Sequence, residues 1–79
     1  MITIRYFAKL KDIVGKDKER LELENITVKE LLHVVGNKYE GFEAYASSLH
    51  VAINEEYAQQ EDMIADGDDV AFIPPVSGG

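Results

Sequence analysis

The 79-residue sequence contains no cysteine and no tryptophan. Without thiols the chain has no disulfide framework, no zinc ribbon, no thiolate-bound iron–sulfur cluster and no cysteine nucleophile. The two histidines, His33 and His50, have no second ligand at a convincing spacing, so we expect no metal site. Stability must come from secondary structure packed around a small core.

Long apolar runs are also missing. Uninterrupted apolar stretches are only a few residues long, far short of the ~20 that span a bilayer. Residues 1–5 do not open a signal peptide, so we expect a cytoplasmic protein without a membrane partner. An apolar fraction of 46% and a charged fraction of 29% indicate one globular domain, residues 1–79. Its core is too thin to enclose an active site of its own.

Positive charge is absent from the second half. Residues 1–38 hold all 8 Lys and Arg against 6 acidic residues (8 − 6 = +2), and residues 39–79 hold 9 acidic residues and no Lys or Arg (−9). Nucleic acid and anionic membranes require the opposite sign and are not expected partners. A basic protein surface is the natural complement, although acidity can also serve solubility alone.

Hydrophobic periodicity predicts two strands and then a helix. Residues 1–7 and 19–23 alternate with a period of two, which is typical of strands, and the connection between them, residues 8–18, contains a helical turn that ends at Gly15. Thr27 and Glu30 have the spacing of a helix-capping box. Gly36 or Asn37 fits the end of this helix, whose core-facing stripe is Val28, Leu31, Leu32 and Val35.

The rest of the chain predicts further strands. Residues 38–48 are ambiguous, residues 49–53 and 69–73 are typical of strands, and a short strand surrounds Tyr57. Residues 66–68 form a turn (Asp-Gly-Asp). A mixed sheet that packs on one main helix, an α+β fold, is the natural arrangement.

The tail, residues 73–79, contains the unusual chemistry. Pro74 and Pro75 cannot donate ladder hydrogen bonds, so strand pairing should end there and the chain should project. Gly78 and Gly79 lack a Cβ and can pass where only bare backbone fits. An unhindered Gly79 carboxylate can be activated as a mixed anhydride with AMP and then attacked by a nucleophile. The alternative is a frayed tail of small residues.

The sequence resembles the small subunits of molybdopterin synthase, which are sulfur carriers of the ubiquitin-like β-grasp fold. The resemblance covers essentially the whole chain, and its motifs are IRYFAKLKDIVG (4–15), TVKEL (27–31), VAIN (51–54) and DGDDVAFIPPVSGG (66–79). It implies that an E1-like adenylyltransferase/sulfurylase uses ATP to adenylate Gly79 and converts it to a thiocarboxylate. No tightly bound cofactor is implied for the chain itself.

The resemblance also implies the partner. The tail, with Pro74, Pro75, Val76, Ser77 and Gly78, is expected to insert into the large synthase subunit, which holds the catalytic residues. Sulfur then passes to cyclic pyranopterin monophosphate and forms the molybdopterin dithiolene, in a heterotetramer with two large subunits. The chain would thus be a non-catalytic sulfur-donor subunit.

The family's apolar contact surface falls here on Phe7, Tyr57 and Ile73, where Tyr57 and Ile73 replace the commoner Leu and Phe. Three alternatives stay open: sulfur delivery to thiamine or another product, a ubiquitin-like modifier conjugated through Gly79, and a passive interaction domain.

We predict that Gly79→Ala slows activation of the C-terminus. The substitution keeps the carboxylate but adds a methyl group beside the reacting carbon, and overpacking a rigid site costs ~1–3 kcal/mol. The adenylation rate should fall by about tenfold or more. The adenylation rate of each chain is measured with the activating enzyme and ATP. The unfolding curve of the variant should coincide with that of the unmodified chain. An unchanged rate would contradict the prediction.

Overall fold

The computed structural model describes residues 1–75 and shows a mixed sheet packed on one main helix. Its elements are β1 (Ile2–Tyr6), α1 (Lys9–Val14), β2 (Lys18–Leu21), β3 (Ile26–Thr27), α2 (Val28–Lys38), α3 (Glu43–Ala46), β4 (His50–Ile53), β5 (Glu56–Ala58), β6 (Met63–Ile64) and β7 (Asp69–Ile73). The main sheet has the order β2-β1-β7-β4-β5, and β3 pairs with β6 in a separate two-stranded sheet. This architecture confirms the predicted α+β class.

The last strand lies in the middle of the main sheet. β7 pairs in parallel with β1 and antiparallel with β4, while β1 pairs antiparallel with β2 as the predicted hairpin. Alternate residues of β1 and β7 enter the core, which buries Ile4, Tyr6, Val70 and Phe72 almost completely. The neighbouring residues of these strands therefore face the other side of the sheet.

Helix α2 covers the inner face of the sheet and begins as predicted. The backbone N–H of Glu30 donates to Oγ1 of Thr27 at 3.1 Å, and the N–H of Thr27 donates to Oε1 of Glu30 at 2.8 Å, which completes the capping box. The predicted stripe is buried and packs in the core: Val28, Leu31, Leu32 and Val35.

The predicted end of this helix at Gly36 or Asn37 is wrong. Helical structure continues to Lys38, and the N–H of Tyr39 still donates to the carbonyl of Val35 at 3.0 Å. Gly36 serves close packing instead, because a Cβ there would lie 2.8 Å from Cγ of Glu43. A side chain at position 36 would therefore require the exposed Glu43 side chain to shift.

The segment that the sequence left ambiguous contains the short helix α3. Phe42, immediately before it, is fully buried, and Tyr45 and Ala46 pack against the core. β3 and β6 were not predicted, because two residues per strand are too few to show a period. Within residues 1–75 no helix is long and apolar enough to cross a membrane.

A buried carboxylate ties β2 to the rest of the fold. The Glu19 side chain is 6% exposed and accepts hydrogen bonds from the Tyr6 hydroxyl at 2.7 Å, the Tyr39 hydroxyl at 2.8 Å and Nζ of Lys38 at 2.6 Å. Burial raises the pKa of this carboxyl, but the hydrogen bonds from Lys38, Tyr6 and Tyr39 together outweigh burial and lower it below 4.5. Burial, with the bond to Glu19, raises the pKa of Tyr6, so its hydroxyl stays a donor.

We predict that Glu19→Gln lowers the free energy of unfolding by about 1–3 kcal/mol at neutral pH, since a neutral amide satisfies the buried donors poorly. The folded-state pKa of Glu19 lies below the unfolded value, so its contribution is present above about pH 4.5 and is lost as the pH falls through the folded value. The deficit of the variant should therefore be smaller at pH 3 than at pH 7, measured by urea unfolding.

The matched control is Glu22→Gln. Glu22 follows β2, is exposed and makes no hydrogen bond or ion pair to any residue that the structure describes. Its removal should change stability little at either pH. A deficit for Glu19→Gln that is equal at pH 3 and pH 7 would contradict the assigned charge state.

Candidate partner-binding groove

The outer face of the main sheet is shaped by side-chain size. Strand register aligns Arg5 on β1, Ala71 on β7, Ala52 on β4 and Tyr57 on β5 in one row across the sheet. Arg5 and Tyr57 are three strand spacings, roughly 14 Å, apart. Because the two residues between them are alanines, the face is hollow in its centre.

This hollow is a groove of about 670 Å³, and it brings the three predicted contact residues together. Phe7, Tyr57 and Ile73 all line it, although they come from three different strands or strand ends. Phe7 is 44% exposed and Tyr57 is 80% exposed, while Ile73 is half-buried. Large aromatic side chains left open to solvent are common anchors at protein interfaces. Contact with a partner stays a prediction for these residues.

The root of the tail lies at the end of this groove. β7 ends at Ile73, opposite His50, and strand pairing stops before Pro74 and Pro75 as predicted. Pro74 is half-buried and Pro75 is exposed. The remaining predicted tail residues, Val76, Ser77, Gly78 and Gly79, lie outside the described residues.

Polar groups that the sequence analysis did not single out line the far part of the groove. Nε of Arg5 donates to both carboxylate oxygens of Asp69 at 2.9 Å. Oδ1 of Asn54 accepts the backbone N–H of Asp69 at 3.0 Å, and Nδ2 of Asn54 donates to Asp68 at 3.0 Å. The alternation in residues 1–7 places Arg5 on the outer face of β1. This was the sequence signal that could have indicated its position in the groove.

The histidines are not part of a metal cluster in the described residues. His33 is exposed on α2, and the ring of His50 lies 5.9 Å from that of Tyr57, centroid to centroid. Among residues 1–75 no group of three His, Asp or Glu side chains is arranged to hold a metal ion.

Charge is distributed differently in space than along the chain. The acidic residues Glu55, Asp66 and Asp68 lie at the end of the sheet where β7 begins, because the turn at Asn54 bonds to Asp69 and the turn at Gly67 bonds to Met1. The tail leaves from the opposite end. These three acidic residues are therefore separated from the tail, since β7 carries the chain across the sheet.

Lysines lie together with Asp12 and Asp17 at the end of the sheet from which the tail leaves. Lys9 and Lys11 belong to α1, which follows β1, and Lys18 begins β2 opposite Arg5. Both elements meet the sheet at the end where β7 stops.

The sequence matches the model of the ThiS family over residues 4–79. The chain belongs to the ThiS family. A molybdopterin synthase sulfur carrier subunit from Chlamydomonas reinhardtii is 33% identical over 81 residues, with 99% of this chain and 98% of the relative covered.

Two solved structures show the same fold as this ThiS-family chain. Small archaeal modifier protein 1 from Haloferax volcanii has a TM-score of 0.85 and 26% identity, with 99% of this chain and 98% of the other covered. A chain from the complex of subunits 1 and 2 of molybdopterin-converting factor from Helicobacter pylori has a TM-score of 0.70 and 23% identity, with 99% and 97% covered. The fold is thus that of ubiquitin-like β-grasp proteins, as the sequence predicted.

We predict that Tyr57→Ala weakens binding to the large synthase subunit by about tenfold or more, because a truncated aromatic anchor costs ~2 kcal/mol or more. Unfolding should change little, since the side chain is 80% exposed. Val34→Ala is the control, because Val34 is 40% exposed on α2, on the other side of the sheet. Calorimetric titration measures both, and equal affinities of the two variants would contradict the assignment.

Proposed function

We propose that the chain is the sulfur carrier subunit of molybdopterin synthase and that Gly79 carries the sulfur. The supporting observation is that β7 ends at the groove lined by Phe7, Tyr57 and Ile73. A partner held in the groove therefore receives the tail at a defined place. The Chlamydomonas reinhardtii relative, matched over nearly its full length, carries the name of this function.

The chemistry begins with a carboxylate, which is a poor acyl donor. An E1-like adenylyltransferase/sulfurylase transfers AMP from ATP to the Gly79 carboxylate and releases pyrophosphate. A sulfur nucleophile then displaces AMP and leaves a thiocarboxylate. The chain contains no cysteine, so the terminal carbonyl carbon is the place where it can hold sulfur.

The receiving partner is the large synthase subunit. The Helicobacter pylori structure is a complex of two subunits of molybdopterin-converting factor, and its fold likeness supports a subunit of this kind here. We place the catalytic residues on the large subunit, where sulfur passes to cyclic pyranopterin monophosphate. A heterotetramer with two large subunits and a cytoplasmic location stay predictions.

A second candidate, protein modification through Gly79, is favoured by the likeness to small archaeal modifier protein 1. Both functions use the same adenylate, and they differ in the nucleophile that attacks it. A lysine amine gives an isopeptide bond, whereas a sulfur nucleophile gives the thiocarboxylate. Mass spectrometry of cell extracts for lysines joined through an isopeptide bond to Gly79 distinguishes the two.

We predict that deletion of Gly79 abolishes sulfur transfer and preserves binding. The deletion moves the carboxylate back by ~3.5 Å, the length of one extended residue. The groove residues are unchanged, so affinity for the large subunit should stay within about twofold of the unmodified chain.

The experiment measures both quantities on the same preparation. The unmodified chain, incubated with the activating enzyme, ATP and a sulfur donor, should gain the mass of one oxygen replaced by sulfur and then produce molybdopterin with the large subunit. Turnover that survives the deletion would show that Gly79 is not the sulfur-bearing residue.

A further inference from the structure

Arg5 lies on the outer face of the sheet, where an ion pair with Asp69 uses only one of its three nitrogens. Both oxygens of Asp69 accept from the same nitrogen, Nε of Arg5, at 2.9 Å. The two terminal nitrogens of the guanidinium make no hydrogen bond to any residue between 1 and 75. Asp69 thus holds the side chain in place while four N–H donors stay available.

Two hollows share Arg5 and Phe7 as a common wall. On one side lies the groove with its alanine floor, which Glu55 and Asp69 also line. On the other lies a smaller hollow of about 210 Å³, lined by Lys11 and Lys18 as well as by Asp17. A chemical group at this wall meets Arg5, Lys11 and Lys18, with Asp17 beside the lysines and Asp69 paired to the guanidinium.

We propose that Arg5 determines partner specificity by pairing with a carboxylate of the partner. That carboxylate lies next to an apolar side chain that is seated between Phe7 and Tyr57. Planar guanidinium donors match carboxylates, and the nearby Lys11 and Lys18 add charge of the same sign. The inference rests on the proposed function, because it takes the partner to be the large subunit that receives the tail.

The Arg5–Asp69 ion pair is partly exposed, and this exposure determines whether Arg5 affects folding or partner binding. The side chains of Arg5 and Asp69 are 47% and 39% exposed, so the pair contributes little to folding. Charge at such a site mainly governs the association rate and its dependence on salt. Arg5→Gln should therefore fold normally and bind poorly.

The test compares three variants in calorimetric and kinetic binding to the large synthase subunit of the same organism. Arg5→Gln should bind about tenfold more weakly, and its association rate should depend less on salt than that of the unmodified chain. Asp69→Asn should bind within about twofold of the unmodified chain, because an amide oxygen still accepts from Nε. Arg20→Gln is the matched control, since Arg20 lies on the same face opposite Thr3 and outside both hollows.

Each outcome decides the proposal. Equal affinities for Arg5→Gln and Arg20→Gln overturn it, and so does an Asp69→Asn variant as weak as Arg5→Gln, which would make the ion pair merely structural. If the unmodified chain transfers sulfur and Arg5→Gln binds normally, only this inference fails. If the predicted pattern of affinities appears without sulfur transfer, the proposed function fails and the inference stands. No binding by the unmodified chain overturns both.

Discussion

The parallel pairing of β1 with β7 is the constraint on which the groove depends. It aligns Tyr6 with Phe72 and so places the ends of both strands side by side, although they are more than sixty residues apart in the chain. The pairing is stabilised by burial, since the inward residues of both strands are almost fully excluded from water. A shift by one residue would turn these side chains to the solvent, so burial also sets the register.

This register explains why a small domain can present a defined surface without enclosing a pocket. The inner face of the sheet is filled by α2, and the outer face keeps two alanines between Arg5 and Tyr57. The groove lies on the strands of the main sheet. The tail continues from β7, the strand in the middle of that sheet. In the proposed function the domain positions the tail, and the large subunit supplies the enclosed active site. This arrangement fits a small chain whose core is too thin to enclose an active site of its own.

Polar groups serve two separate purposes in the molecule. Glu19 is buried and satisfied by hydroxyl and ammonium donors, and it fastens the edge strand β2 to the C-terminal end of α2. Removing one partner would leave the others unsatisfied, which makes such a cluster costly to change. The ion pair of Arg5 and Asp69 is half exposed and contributes little to stability. The buried Glu19 therefore stabilises the fold, whereas the exposed Arg5 is available to bind a partner.

Much of the fold and of the tail could be predicted from local pattern. The capping box at Thr27, the alternation in β1, the strand-forming residues of β7 and the stop at Pro74 act over a few residues, so sequence alone determined these elements. The resemblance across the chain also pointed to Phe7, Tyr57 and Ile73, which line one groove in the structure. Their spacing in the sequence gives no reason for this proximity.

Only the tertiary structure decided the features that depend on distant contacts. Gly36 looked like a helix end, but the helix continues to Lys38, and the side chain of Glu43 lies against the glycine. Glu19 has the appearance of a solvated strand residue until Tyr6, Lys38 and Tyr39 surround it. The acidic turns around Glu55 and Gly67 precede the tail in the sequence but lie at the opposite end of the sheet, because β7 crosses the whole sheet. Local pattern acts through neighbouring residues, whereas strand order and register are set by the burial of side chains that lie far apart in the sequence.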